Sequence, residues 1–199
     1  MNLKELFDDY GCDKSYRHSY HEVYEPHFEP LRNKKINILE IGIFEGLSTS
    51  AFLDYFPNAT IYGVDIFTRL NPEDVPVLEH ERVKWAKGDS TIMKELPWED
   101  VKFDIIIDDG KHTPEANKLT FENMFPYLKE DGMYFIEDVH PLDIMSDKDW
   151  EFHWLRDNPD VFNMEKMNEF LDVVNQYKTA RYDLRENNVL DSYIFKVER

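Results

Sequence analysis

The chain has a single cysteine, Cys12, so no internal disulfide can form and nothing implies an oxidising compartment. No run of about 18 apolar residues occurs, so no segment reads as a bilayer span. The opening stretch MNLKELFDDYG lacks the apolar centre of a signal peptide. These absences make a soluble, cytoplasmic protein the expectation. Basic residues are also scarce. Lys and Arg number 23 against 41 Asp and Glu, for a formal charge of -18. A surface of that sign repels polyanions, and no Lys/Arg cluster offsets it, so neither a nucleic acid nor an anionic membrane is an expected partner. Internal repeats, low-complexity segments and linkers are missing too. What remains is a globular composition, 42% hydrophobic and 15% aromatic over 199 residues, enough for one core.

From about residue 36 apolar runs alternate with amphipathic stretches. INILEIG (36–42) is a short β-branched run ending in glycine. LSTSAFLDYF (47–56) carries apolar residues at helical spacing and stops at Pro57. ATIYGVDIF (59–67) and VKWAKGD (83–89) read as a second and a third strand. FDIIIDDG (103–110) is the clearest strand, because three consecutive isoleucines suit a strand covered on both faces. Residues 115–128 have helical spacing, with Leu119, Phe121, Phe125 and Leu128 apolar, and GMYFIED (132–138) is a fifth strand. Such alternation predicts a parallel sheet with right-handed crossovers. Beyond residue 140 a polar and aromatic stretch without a firm period predicts a surface excursion. An amphipathic helix follows over 163–178, its stripe of Met164, Met167, Phe170, Leu171 and Val174 expected to pack in the core. TARYDLR and SYIFKVE, flanking Asn187 and Asn188, predict an antiparallel pair.

The first strand ends in Glu40-Ile41-Gly42-Ile43-Phe44-Glu45-Gly46. Glycines there let a tight strand-to-helix turn bring bare backbone close to a ligand. In open α/β sheets ligands lie across the carboxyl ends of the strands where strand order reverses. Asp65 ends the second strand, where a carboxylate can accept hydrogen bonds from both hydroxyls of a ribose; merely capping a helix is the plainer alternative. Gly88-Asp89-Ser90 ends the third strand, placed to contact an adenine. The pattern E-x-G-x-x-x-G departs from the G-x-G-x-x-G of dinucleotide sites and is similar to motif I of class I methyltransferases. That resemblance implies S-adenosylmethionine as cofactor, with Glu40, Gly42, Gly46, Ser48, Asp65, Asp89, Ser90 and Asp108 expected around it.

Strands four and five carry the chemistry-bearing residues. IIIDDGKH brings Asp108, Asp109 and His112 to one strand end, and YFIED brings Glu137 and Asp138 to another. In the expected sheet these strands are neighbours, about 5 Å apart. Carboxylates that close repel one another unless something positive lies between them, and a hard divalent cation such as magnesium prefers oxygen ligands. Asp109, Glu137 and Asp138 can supply three ligands to it, with His112 in reach as a general base. An Asp-Asp-Gly after one strand is often only a turn; two acidic clusters ending adjacent strands favour a site.

LEIGIFEGLS, Tyr62-Gly63-Val64-Asp65, Asp108-Asp109-Gly110-x-His112, Glu137-Asp138 and the earlier Gly11-x-Asp13-Lys14 with His18, Tyr20 and Tyr24 resemble the metal-dependent sugar O-methyltransferases of the macrocin and mycinamicin type and related rhamnosyl O-methyltransferases. The resemblance covers residues 11 to about 138. It implies an α/β, Rossmann-like, seven-stranded mostly parallel sheet flanked by helices, with a C-terminal antiparallel hairpin. It also implies S-adenosylmethionine and Mg²⁺, the latter bound by Asp109, Glu137 and Asp138, with His112 as base beside Asp109. The acceptor implied is a small sugar-like molecule, and because such relatives assemble into multimers a homo-oligomer is a further expectation. Lys111 stands where the family usually has Ser, and Val139-His140-Pro141 replaces a Thr-Ser-Tyr type stretch, so the substrate-facing loop differs. One domain over 1–199 is expected, with an N-terminal helical segment or lid (1–35), a cofactor-binding core (36–140) and a helix plus terminal hairpin (141–199).

Other residues are given plainer roles. His18, His21 and His27 lack a cysteine pair that would support zinc. Tyr16, Tyr20, Tyr24 and Phe28 are expected to pack the N-terminal segment over the cofactor pocket, and Trp150 and Trp154 to line an acceptor pocket or pack on the sheet. Cys12 has no base partner evident in the sequence. Two rival functions keep the fold: a cephalosporin-hydroxylase-like enzyme, and a cofactor-binding module without catalysis. The acid set argues against the second, because a pure binding module has no need to hold mutually repelling charges.

Overall fold

The computed structural model describes residues 1–146, 149, 153–186 and 188–199. Its centre is a seven-stranded sheet of β1 (Asn37–Ile41), β2 (Thr60–Asp65), β3 (Val83–Lys87), β4 (Phe103–Asp108), β5 (Leu128–Ile136), β6 (Lys178–Asp183) and β7 (Tyr193–Glu198). The order is β3-β2-β1-β4-β5-β7-β6. The first five strands run parallel, while β7 pairs antiparallel with both β5 and β6. Strand order reverses between β1 and β4, which opens a crevice at their carboxyl ends. The isoleucine run lies where expected: Ile105, Ile106 and Ile107 are fully buried in β4 at the middle of the sheet.

Helices cover both faces. On one side α1 (Leu3–Tyr10), α3 (His21–Phe28) and α4 (Leu47–Tyr55) share a core with Ile38, Ile105, Ile107 and Phe135. On the other, α5 (Pro114–Met124) and α6 (Met164–Val174) pack against Leu39, Ile106, Tyr134 and Phe195. Asn2 caps α1 through a reciprocal box with Glu5, and Gly11 ends it at φ +70. The chain then turns into the single helical turn α2 (Asp13–Tyr16). Among the described residues no helix is long and apolar enough to cross a membrane.

Three expectations shift. The helix expected over 115–128 starts at Pro114 and ends at Met124; Phe125–Tyr127 form a 3-10 turn and β5 begins at Leu128. Pro126 accounts for the stop, since it has no N–H for the helix ladder. Leu119 is on the wrong side of that helix and is 36% exposed, the buried stripe being Ala116, Thr120, Phe121 and Met124. The later helix ends at Val174, and Lys178 already belongs to β6. Of the terminal pair, the apolar β7 is inserted into the sheet and the polar β6 forms its edge, as burial requires.

Candidate active site

The strand ladder continues past the ends of β4 and β5. The N–H of Asp109 donates to the Ile41 carbonyl at 2.9 Å and the N–H of Glu137 to the Asp108 carbonyl at 2.9 Å, so both acids leave neighbouring strands at one level. Gly42 makes this approach possible. It sits at φ +87, and a Cβ there would lie 2.0 Å from the Asp109 carbonyl oxygen. Phe44, His112 and Asp138 adopt left-handed φ of 50°, 56° and 51° without being glycine. Such residues cost free energy and persist where the surroundings over-determine them, as at ligand sites.

One ligand atom each from Asp109, His112 and Asp138 lie within 4.8 Å of one another. His112 Nε2 is 3.5 Å from Asp109 Oδ1, and His112 Nδ1 is buried with no hydrogen-bond partner among the described residues. Two carboxylates and an imidazole are a donor set that suits a divalent cation. Glu137 lies behind them, wholly enclosed, and is not part of that outward-facing trio.

Four residues of the N-terminal segment close on these acids. The Lys14 ammonium, 3% exposed, donates to Asp109 Oδ2 at 2.6 Å and also to Glu137 Oε2. Tyr24 donates its hydroxyl to Glu137 Oε1. Tyr20 donates to Asp138 Oδ1 and accepts from the Asp138 N–H at 3.0 Å. His18 Nδ1 lies 3.0 Å from the Ser192 hydroxyl and 3.5 Å from Asp138 Oδ1. Tyr20 and Tyr24 are four residues apart, which stacks their hydroxyls along one helical face. Burial, then Asp138 for Tyr20 and Glu137 for Tyr24, pushes both phenols well above their ordinary pKa, so both remain donors. Burial works against the Lys14 charge, yet Asp109 and Glu137 together outweigh it and hold the ammonium well above the usual lysine range. Burial likewise pushes Glu137 up, opposed by Lys14. With both oxygens accepting from Lys14 and Tyr24, the geometry is that of a carboxylate.

Lys14, which carries no role of its own in the sequence pattern, sits among the acids as their counter-charge. Repulsion among Asp109, Glu137 and Asp138 does not by itself require a metal ion or argue against a pure binding module, because an internal ammonium already supplies one positive charge. The only hint in the sequence is the Gly11-x-Asp13-Lys14 motif.

At the β1–β3 end each expected residue has partners within the protein. Glu40 is fully buried, and its two oxygens accept the hydroxyls of Ser48 and Thr49 from the first turn of α4. Burial pushes its carboxyl up while those hydroxyls oppose the shift. Glu40 and Ser48 therefore brace the glycine turn from beneath. Gly46 starts α4 at φ +73, tight against Val77. Asp65 Oδ2 accepts the N–H groups of Ile43 at 2.8 Å and Phe44 at 2.9 Å, and Oδ1 accepts that of Phe67 at 2.5 Å. It pins the turn to the end of β2. Asp89 accepts the Thr91 N–H and hydroxyl, at 2.9 and 2.6 Å, and Ser90 pairs with Thr120 at 2.8 Å. Asp108 is 2% exposed, its carboxyl pushed by burial up to about 7. Apolar side chains stand in the loops just after these strands: Phe44, Ile66 and Ile92 are 48%, 45% and 75% exposed.

Tyr20, Tyr24 and Phe28 are buried as expected, but Tyr16 is 70% exposed because it closes the outer side of α2. Tyr20 and Tyr24 reach the acids rather than merely covering a pocket. His27 turns away to Tyr182 at 3.0 Å, so the three N-terminal histidines form no common site. Burial pushes the Cys12 thiol up to about 12, which leaves it inert. Trp150 and the side chain of Trp154 lie outside the described residues.

A doubly covered α/β sheet of this strand order, with acids and a histidine converging at its switch point, defines an α/β protein with a ligand-binding crevice at its strand ends. The sequence profile described as a methyltransferase domain matches residues 39–139, just over half the chain, and the chain belongs to that family. It is 33% identical to the demethylmacrocin O-methyltransferase of Streptomyces fradiae over 149 residues, 69% of this chain and 36% of that enzyme. It is 28% identical to the mycinamicin VI 2''-O-methyltransferase of Micromonospora griseorubida over 146 residues, again 69% of this chain and 36% of the relative. The chain thus spans about a third of the length of the curated relatives it matches. Among solved structures, the MycE methyltransferase of the mycinamycin pathway, in complex with Mg and SAH, aligns over 100% of this chain and 54% of its own, with a TM-score of 0.71 at 22% identity. That likeness is one of fold.

Proposed function

We propose that this chain is an S-adenosylmethionine-dependent O-methyltransferase that acts on a hydroxyl of a small sugar-like acceptor and uses a divalent cation such as Mg²⁺. The observation that carries the reading is the meeting of Asp109, His112 and Asp138 at the tips of adjacent strands, beside a glycine turn of the methyltransferase type. The family supports methyl transfer, and the relatives named above support a sugar hydroxyl as acceptor.

In this reading the turn over 42–46, pinned by Asp65, faces the adenosyl group, and Phe44, Ile66 and Ile92 offer apolar surface for the purine. Asp109 and Asp138 hold the cation, with Glu137 behind them fixing Asp109 through their shared lysine. A bound Mg²⁺ supplies Lewis acidity toward an acceptor hydroxyl. His112, turned outward at 29% side-chain exposure beside Asp109, is the residue placed to accept the hydroxyl proton. Tyr20 and His18 hold Asp138 in place. Carboxylates on an otherwise acidic surface leave a neutral polyol as the acceptor that suffers least repulsion. The protein works in the cytoplasm, and a homo-oligomer is part of the proposal.

The test is a panel of sugars and glycosides with labelled methyl donor, in magnesium and in EDTA. Label transfer to a sugar hydroxyl that EDTA abolishes supports the reading; full transfer in EDTA, or none to any polyol while the cofactor binds, overturns it.

A further inference from the structure

Lys14 has an unusual placement for a lysine. Its ammonium is enclosed at the point where β4 and β5 end, bound to two acids that lie 95 and 123 residues away in the chain. Nothing on α2 requires this: a lysine is ordinarily held at the surface, and burying it costs free energy unless acids receive it. The two acids that receive Lys14 are divided by it. Asp109 gives Oδ2 to Lys14 and turns Oδ1 toward His112; Glu137 gives Oε2 to Lys14 and Oε1 to Tyr24. The ammonium therefore fills the inner side of the cluster and leaves the outer side, formed by Asp109, His112 and Asp138, open. Three carboxylates and one ammonium leave a residual charge of two negatives, the amount one divalent ion neutralises.

We propose that Lys14 is a tethered counter-ion, which keeps the acid cluster and the N-terminal segment assembled when no divalent cation is bound. An empty site of three neighbouring carboxylates, one of them fully enclosed, would push itself apart, and the segment that carries Tyr20 and Tyr24 would lose its anchor. With Lys14 in place the outer face stays formed without the ion, and the ammonium and the ion share the work of neutralising the acids. Lys14 is on this account a positioning residue. The part concerning divalent ions rests on the reading above, whereas the assembly of the ion-free protein does not.

The experiment compares the wild-type chain with Lys14→Met and with the double variant Lys14→Met/Glu137→Gln. Each is melted at pH 8 in EDTA and in saturating Mg²⁺, and each is titrated with Mn²⁺ by electron paramagnetic resonance. In EDTA, Lys14→Met melts on the order of 10 °C below wild type, because Glu137 and Asp109 are left without their cation. The rise on adding Mg²⁺ is larger in Lys14→Met than in wild type, and Mn²⁺ binds on the order of tenfold more tightly. The double variant recovers most of the melting loss, which keeps the test alive if Lys14→Met does not fold. A purely packing role predicts the same Mg²⁺ rise in both proteins and no recovery in the double variant, and that result overturns the proposal while leaving the metal site intact. If no variant binds Mn²⁺ yet the double variant still recovers, the counter-ion stands and the metal reading fails.

Discussion

The two ends of the crevice satisfy their acids in opposite ways. At the ends of β1, β2 and β3 each carboxylate is held by its own neighbourhood: Glu40 by Ser48 and Thr49, Asp65 by the N–H groups of Ile43, Phe44 and Phe67, Asp89 by Thr91. At the ends of β4 and β5 the partners come from the other end of the chain, Lys14, His18, Tyr20 and Tyr24 reaching Asp109, Glu137 and Asp138. The first arrangement builds a turn held by contacts within one strand or between neighbouring ones. The second depends on the N-terminal segment docking, so its integrity is coupled to long-range folding and to whatever cation the site takes.

The sharpest way to break this comparison is to remove one acid from each end. Asp109→Asn lowers methyl transfer on the order of 10³-fold with cofactor affinity little changed, whereas Asp65→Ala loosens the turn and weakens cofactor binding about tenfold. Labelled-methyl kinetics and cofactor calorimetry separate the two, and a swap of these effects would reassign the ends. Gly42→Ala reaches both at once. A methyl group there meets the Asp109 carbonyl in a backbone conformation that disfavours L side chains, so denaturant melts register a loss of about 3 kcal/mol.

Smaller effects sharpen the local half. Ser48→Ala leaves one oxygen of the enclosed Glu40 without its donor, a cost of about 1–3 kcal/mol in urea unfolding, with Lys14 contacts unaffected. The smallest lies outside both regions, on the β6–β7 edge. Glu198 is held down to about 2 by hydrogen bonds from Lys178 and Lys196. A depressed folded pKa contributes stability at pH values above the ordinary 4.5 and loses it as pH falls toward 2. Glu198→Gln therefore flattens the acid limb of the stability curve, and the two proteins converge near pH 2.

Much of the fold was legible because local pattern and tertiary demand agreed. The isoleucines of β4, the glycine turn after β1 and Met167, Phe170, Leu171 and Val174 of α6 lie where the pattern places them, whereas Met164, expected in the same stripe, is 39% exposed at the first position of the helix. The misplaced boundary at α5 traces to Pro126, whose effect on a helix outweighed the apolar spacing of Phe125 and Leu128. Strand ends brought Asp109, Glu137 and Asp138 into view as a group, since adjacent parallel strands have to deliver them together. Glu40 and Ser48 were legible as parts of the turn, but which way their side chains face was not, because that follows from how α4 packs on β1.

From the order and composition of its segments alone, this chain determined a doubly covered parallel sheet with a glycine turn at one tip and acids at two others. Period, chain stops and glycine placement are local properties that a sequence states directly. Only the tertiary structure decided that a lysine near the N-terminus, with two tyrosines and a histidine, would close on those acids. Their partners lie more than ninety positions away, and no local rule specifies which distant charge will be enclosed with which.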